Sequence, residues 1–153
     1  MKPEAAGDSI QARKAALDYL ARREHGQLEL ARKLAGRGFA AEIVDETIAA
    51  LRADGLLSDA RFAESFVHSR FQRGSGPQKI RAELRARGID DDLVSTCLEA
   101  YDEEWCELIA RVRRKRFGDA LPADFRERSR QMRFLQQRGF TADQIAAVFR
   151  DPE

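Results

Sequence analysis

The chain has 153 residues, 43% hydrophobic and 35% charged, which fits one domain or a short repeat array with a modest core and a heavily solvated surface. A formal net charge of +1 excludes a uniformly basic or acidic protein, but the charges are segregated along the chain. The opening MKPEAAGDSIQARKAAL has no apolar stretch suited to a secretion signal, and nothing later is long and apolar enough to cross a bilayer, so a cytoplasmic setting is expected.

Residues 1–8 are polar, with a proline and a glycine, and are expected to be flexible. Ser9 can cap a first helix to about Glu24, with Ala12, Ala16, Leu17 and Leu20 facing inward. His25-Gly26 interrupts it. A second helix, about Leu28 to Ala35, turns Leu30 and Leu34 inward, and Gly36 and Gly38 end it. A third, about Ala41 to Ala53, buries Ile43, Val44, Ile48 and Leu51. Ser58 caps a fourth helix, in which Phe62, Ala63, Phe66, Val67 and Phe71 recur at helical steps. Gly74 stops that helix, and Gly76-Pro77 breaks and restarts the chain, since proline fits a first helical turn. The fifth helix, Gln78 to Arg87, has Ile80 and Leu84 inside. Asp90 or Asp91 caps the sixth, lined by Leu93, Val94, Leu98 and Tyr101. The seventh spans about Glu103 to Arg116 with Trp105, Leu108, Ile109 and Val112 inward. Pro122 is expected to open an eighth helix to about Gln137. Thr141, with Gln144 three places on, fits a capping box that starts the ninth. No stretch alternates as a strand does.

A repeat organises these helices. When Arg37-Gly38-Phe39, Arg87-Gly88-Ile89 and Arg138-Gly139-Phe140 are aligned, Leu34, Leu84 and Leu135 coincide before the glycine. Val44, Val94 and Ile145 coincide after it, as do Ile48, Leu98 and Phe149. Each glycine fits a left-handed helix-ending position. The fold expected is all-α: three tandem three-helix repeats of about nine helices, at residues 9–55, 56–102 and 103–153, forming an elongated, curved array.

Charge follows its own blocks. Residues 70–87 carry six bases and one acid, 90–107 eight acids and no base, and 111–138 ten bases and three acids. Arg81 and Arg85 share a stripe on the fifth helix, beside Arg70, Arg73 and Lys79 in the same block. Arg111, Arg114 and Lys115 form a second stripe, and Arg126, Arg130 and Arg133 a third. These eleven residues are the candidate binding surface, because like charges clustered within single helices repel unless a partner neutralises them. The alternative is a solvated surface paired internally with the acidic run.

Catalytic and metal patterns are missing. Gly74-Ser75-Gly76-Pro77 lacks the lysine of a phosphate-cradling loop, and His25 and His68 have no nucleophile or carboxylate at a recognisable spacing. Asp90-Asp91-Asp92 suits a helix start without a metal. Cys97 and Cys106, nine apart, match no metal or redox spacing and are expected to be buried thiols. A non-enzyme without cofactor or metal is therefore expected. RFLQQRGFTADQIAAVF resembles a DNA-reading helix-turn-helix. However, leucine occupies the position where that motif needs a small residue, and the helices after the turns carry acids such as Glu42, Asp45 and Glu46 that phosphates would repel.

The blocks GLLSDARFAESFVHSR, RGSGPQKIRAELRARGI, ALDYLARREHGQLELARKLAGRGF and QMRFLQQRGFTADQIAAVF resemble RecX, the bacterial regulatory protein that binds and restrains the RecA recombinase. The resemblance covers nearly the whole chain. It implies three tandem three-helix repeats and a cytoplasmic monomer acting in DNA repair, homologous recombination and the SOS response. The implied partner is the RecA filament on single-stranded DNA, whose ATPase, strand exchange and coprotease activities would be inhibited. Single- and double-stranded DNA are further candidate partners, and a plain DNA-binding repeat protein that competes for DNA is the second reading. His68 departs from the family, where a basic arginine is common at that place.

Overall fold

The computed structural model describes residues 3–150. Among the described residues there are nine α-helices and no strand: α1 (Pro3–Arg22), α2 (Gln27–Gly36), α3 (Ala41–Ala53), α4 (Asp59–Gln72), α5 (Pro77–Ala86), α6 (Asp91–Glu99), α7 (Trp105–Phe117), α8 (Phe125–Gln137) and α9 (Ala142–Val148). The helices fall into two compact units. The first holds α1–α3, α4 as far as Ser65, and the turn Arg87–Ile89; the second holds Phe66–Ala86 and the chain from Asp90 onward.

In the first unit Ala15, Ala16, Leu30, Leu34, Val44, Leu51 and Leu57 form the core, with Tyr19, Leu20, Phe39 and Ile48 packed around them. In the second, Leu84, Val94, Leu98, Trp105, Leu108, Ile109, Leu135, Phe140, Ile145 and Phe149 are buried. The repeat register thus becomes packing. Leu34, Leu84 and Leu135 are each fully buried, and Val44, Val94 and Ile145 lie close to that limit.

The turn glycines take the left-handed conformation, with φ of 93° at Gly38, 76° at Gly88 and 99° at Gly139. Two of these turns also couple repeats. Inside the first unit, a Cβ on Gly88 would lie 2.7 Å from Leu28 Cδ2, so this turn seats against the start of α2. Inside the second, Gly76 N–H donates to Arg138 O at 2.7 Å and Gln78 N–H to Gly139 O at 2.9 Å, so the third turn seats against the start of α5. A Cβ on Gly139 would lie 2.8 Å from Lys79 N. Gly38 has nothing within 4 Å of an added Cβ. The turns of the second and third repeats thus each dock on the second helix of the repeat before them.

Several boundaries differ from the sequence reading. Of the tail expected at residues 1–8, residues 1 and 2 lie outside the described residues, and Pro3 to Asp8 belong to α1, where proline suits a first turn. Leu17 is 37% exposed rather than inward. α8 starts at Phe125, not Pro122, because Asp124 caps it by accepting from Glu127 N–H at 2.7 Å. α7 starts at Trp105, since residues 101–104 form turns. Cys97 is buried, but Cys106 is exposed: it lies one position off the buried face of Trp105, Leu108 and Ile109. The Thr141–Gln144 capping box is present.

His25, between α1 and α2, is buried. Lys33 Nζ lies 2.9 Å from Nε2 and can only donate; the Arg23 carbonyl lies 3.0 Å from Nδ1 and can only accept. The ring therefore sits as the neutral Nδ1–H tautomer. Burial pushes its pKa below the ordinary value, and the cations of Arg23 and Lys33 push the same way, against the Arg23 carbonyl and Glu29. The unfolded chain then binds more protons below its own histidine pKa, so this contribution is complete above about pH 6.5 and is lost as pH falls toward the depressed folded value. Urea unfolding should show stability falling as pH drops below about 6.5, with His25→Gln flattening that slope. An unchanged slope in the variant would refute this account of His25.

Candidate polyanion-binding surface

The second unit brings together the C-terminal end of α4, the exposed side of α7 and the end of α8. Arg73, the residue after α4, lies beside Gly74, whose φ of 86° ends the helix sharply. Arg111 and Lys115 lie one turn apart on α7 and are exposed, as is Arg116. Arg138 caps the C-terminal end of α8. Its Nη2 donates to the Arg73 carbonyl at 2.7 Å, while its Nε is buried with no acceptor among the described residues.

These five cations, with Gln72, Gly74, Val112 and Phe134, line a cavity of about 390 Å³. No acid lines it, and among the described residues none of the five forms an ion pair with a carboxylate. The Arg116 and Arg138 guanidiniums stand 5.7 and 5.9 Å from the Phe134 ring centroid, so the aromatic wall helps hold them. Phe117 meets Phe134 edge-on at 5.3 Å and supports that wall.

The other candidate residues fall into different settings. Arg126, Arg130 and Arg133 line a second cavity of about 320 Å³ on α8, with Asp124 and Glu127. Arg130 grips Glu127 through Nε and Nη2, both at 3.0 Å, and that hydrogen bonding holds the Glu127 carboxyl below its ordinary pKa. Arg70 Nε donates to Glu83 at 3.1 Å and its guanidinium covers the Phe66 ring at 4.4 Å. Arg81 Nη1 donates to Ser95 Oγ at 3.0 Å, and Arg85 Nε to Asp91 at 2.6 Å. Lys79 is exposed, with its backbone against the Gly139 turn. Arg114 is exposed on α7. The Arg130–Glu127 and Arg85–Asp91 pairs are exposed and add little stability, but they direct each cation toward its own neighbour. The structure therefore brings Arg73, Arg111 and Lys115 together and leaves the rest outside that cavity.

Three arginines escaped the sequence reading. Arg116 and Arg138 complete the cavity; Arg138 was legible only as part of the repeated turn. Arg113 is buried: its Nη1 donates to Ala120 O at 3.3 Å and Gln131 Oε1 at 3.4 Å, and its Nη2 to Asp119 O at 3.1 Å. It ties the α7–α8 connection to α8. Its spacing was the available signal, since it lies four residues after Ile109 on the buried stripe.

Among the described residues no group of three histidine, cysteine or acidic side chains could hold a metal, and no helix is long and apolar enough to cross a membrane. The arrangement suits recognition of negative charge. Family comparison agrees with the threefold division. Residues 12–51, 58–98 and 102–149 match, in order, the first, second and third three-helix domains of RecX. The chain is 50% identical to the regulatory protein RecX of Halorhodospira halophila over 145 residues, covering 95% of this chain and 90% of that one. It is 43% identical to the regulatory protein RecX of Ectopseudomonas mendocina, covering 92% and 94%. The crystal structure of RecX from Lactobacillus salivarius superposes with a TM-score of 0.80 at 26% identity, covering 94% of this chain and 95% of that one. With three successive domains matched in the family's own order and identity sustained along nearly its whole length, the chain belongs to the RecX family of regulatory proteins.

Proposed function

We propose that the chain is a negative regulator of the RecA recombinase that binds the RecA filament on single-stranded DNA and lowers its ATPase, strand-exchange and coprotease activities. The observation that carries this reading is the surplus of cations in the second unit that no carboxylate among the described residues neutralises. A filament offers both kinds of counter-charge, DNA phosphate and protein carboxylate. Binding across adjacent RecA subunits would bias the filament toward one conformation, because a ligand shifts an equilibrium by its differential affinity for the two states. The protein acts without catalysis, in the cytoplasm, as a monomer. Arg73, Arg111 and Lys115 work through the cavity, and Arg126, Arg130 and Arg133 through the exposed side of α8. Arg114, Lys79, Arg70, Arg81 and Arg85 contribute to the surrounding field.

The second reading, a DNA-binding repeat protein that competes with RecA for DNA, draws on the same cations. A pull-down with RecA, with and without single-stranded DNA, separates the two. Retention of RecA that does not scale with the protein's own DNA binding is expected. Capture of DNA alone would favour competition.

A further inference from the structure

We propose that the cavity bounded by Arg73, Arg111, Lys115, Arg116 and Arg138 is a phosphate site. It would hold the oxyanion of a phosphodiester in single-stranded nucleic acid or of a free polyphosphate. This deepens the proposed function by giving the cavity a ligand class, and it rests on that reading only for its biological setting. The five cations arrive from three places, the end of α4, the side of α7 and the C-terminal cap of α8. A tetrahedral phosphate presents acceptor oxygens in several directions and can satisfy donors converging this way. A planar carboxylate presents two oxygens in one plane and suits a single fork.

Two further features point to the same class. Phe134 sits in the wall with two guanidiniums over it, and an aromatic ring beside arginines is the composition on which single-stranded bases stack. Gly74 leaves the Arg138 guanidinium room at the wall: a Cβ there would come within 2.7 Å of Arg138 Nη2. Anchored through Nη2 to the Arg73 carbonyl, the Arg138 guanidinium keeps its charge at the cavity wall.

The test uses the full chain and two probes, a fluorescein-labelled oligothymidylate and inorganic tripolyphosphate. Arg111→Gln with Lys115→Gln removes two cavity cations that have no ion-pair partner among the described residues. Arg22→Gln with Arg32→Gln, both exposed in the first unit, removes the same charge elsewhere. The cavity variant should bind both probes at least about tenfold more weakly and lower the salt slope for the oligonucleotide by about 1.4, at roughly 0.7 per lost phosphate contact; the control should stay near wild type. Tripolyphosphate should displace the oligonucleotide from the wild-type chain. If the oligonucleotide binds the more tightly, the nucleic-acid strand is the source; if only tripolyphosphate binds, and the cavity variant loses it, the source is free polyphosphate. Equal losses in cavity and control variants would overturn the site. So would loss of RecA inhibition in the cavity variant with both phosphate probes still bound, a result that assigns the cavity to protein carboxylates and leaves RecA regulation standing.

Discussion

Gly139→Ala should destabilise the second unit by roughly 3–5 kcal/mol, whereas Gly38→Ala should cost the first unit only about 1–2 kcal/mol. Both glycines hold the same place in the repeat and both have positive φ, so the backbone strain of adding a Cβ is shared. The difference comes from docking. At Gly38 an added Cβ meets nothing within 4 Å, while at Gly139 it meets the Lys79 backbone N at 2.8 Å and the Gly76 carbonyl at 3.1 Å. Backbone on both sides cannot swing aside as a side chain can. Gly88→Ala should fall between them, because its neighbour is the Leu28 side chain, whose end can rotate away. Urea unfolding followed by helical circular dichroism would measure the series, with buried Trp105 fluorescence reporting the second unit. Equal losses at the three glycines would contradict the docking of the second and third turns and reduce the repeated turn to a local cap.

Reversing charge on α8 should separate protein contact from DNA contact. Arg126 and Arg133 are exposed and line the α8 cavity, and neither forms an ion pair among the described residues. Arg126→Glu with Arg133→Glu should therefore leave the melting temperature nearly unchanged, since surface changes without a lost partner stay within about 0.5 kcal/mol. The structure makes these a cleaner pair than Arg81 and Arg85, which would lose bonds to Ser95 and Asp91, or Arg130, which would leave Glu127 unpaired. If the side chains face RecA carboxylates, the variant replaces attraction by like-charge contact that costs several kcal/mol, on the order of a hundredfold or more in inhibition. Affinity for bare single-stranded DNA should fall much less. Parallel loss of the two would place these residues on DNA phosphate instead.

Much of this was legible because helical repeats write their packing locally. The leucine before each turn, the β-branched or aliphatic residue after it and the glycine itself recur at nearly constant spacing, and the burial of Leu34, Leu84 and Leu135 follows from that register. The Thr141–Gln144 box was readable for the same reason, since both partners lie within one turn. Pairing between distant segments was not. Arg70 and Glu83 are 13 residues apart, and Arg138 reaches the Arg73 carbonyl across 65. Nothing in a run of basic residues says which will be spent on a neighbouring acid, which will be buried as Arg113 is, and which will have no carboxylate partner among the described residues, as Arg111 and Lys115 do. The stripes located the positive charge, but only the fold divides it into internally paired residues and an open cavity.

Filaments already assembled distinguish direct regulation of RecA from competition for DNA. RecA would be preassembled on single-stranded DNA, excess free DNA added, and ATP hydrolysis followed as the protein is titrated in. A filament binder continues to inhibit under these conditions, because its target is the RecA–DNA complex and excess DNA removes only the small fraction held by bare-strand affinity. The titration curve should be nearly unmoved by the added DNA. Inhibition that disappears as free DNA rises, in proportion to the DNA bound by the protein, would contradict direct regulation.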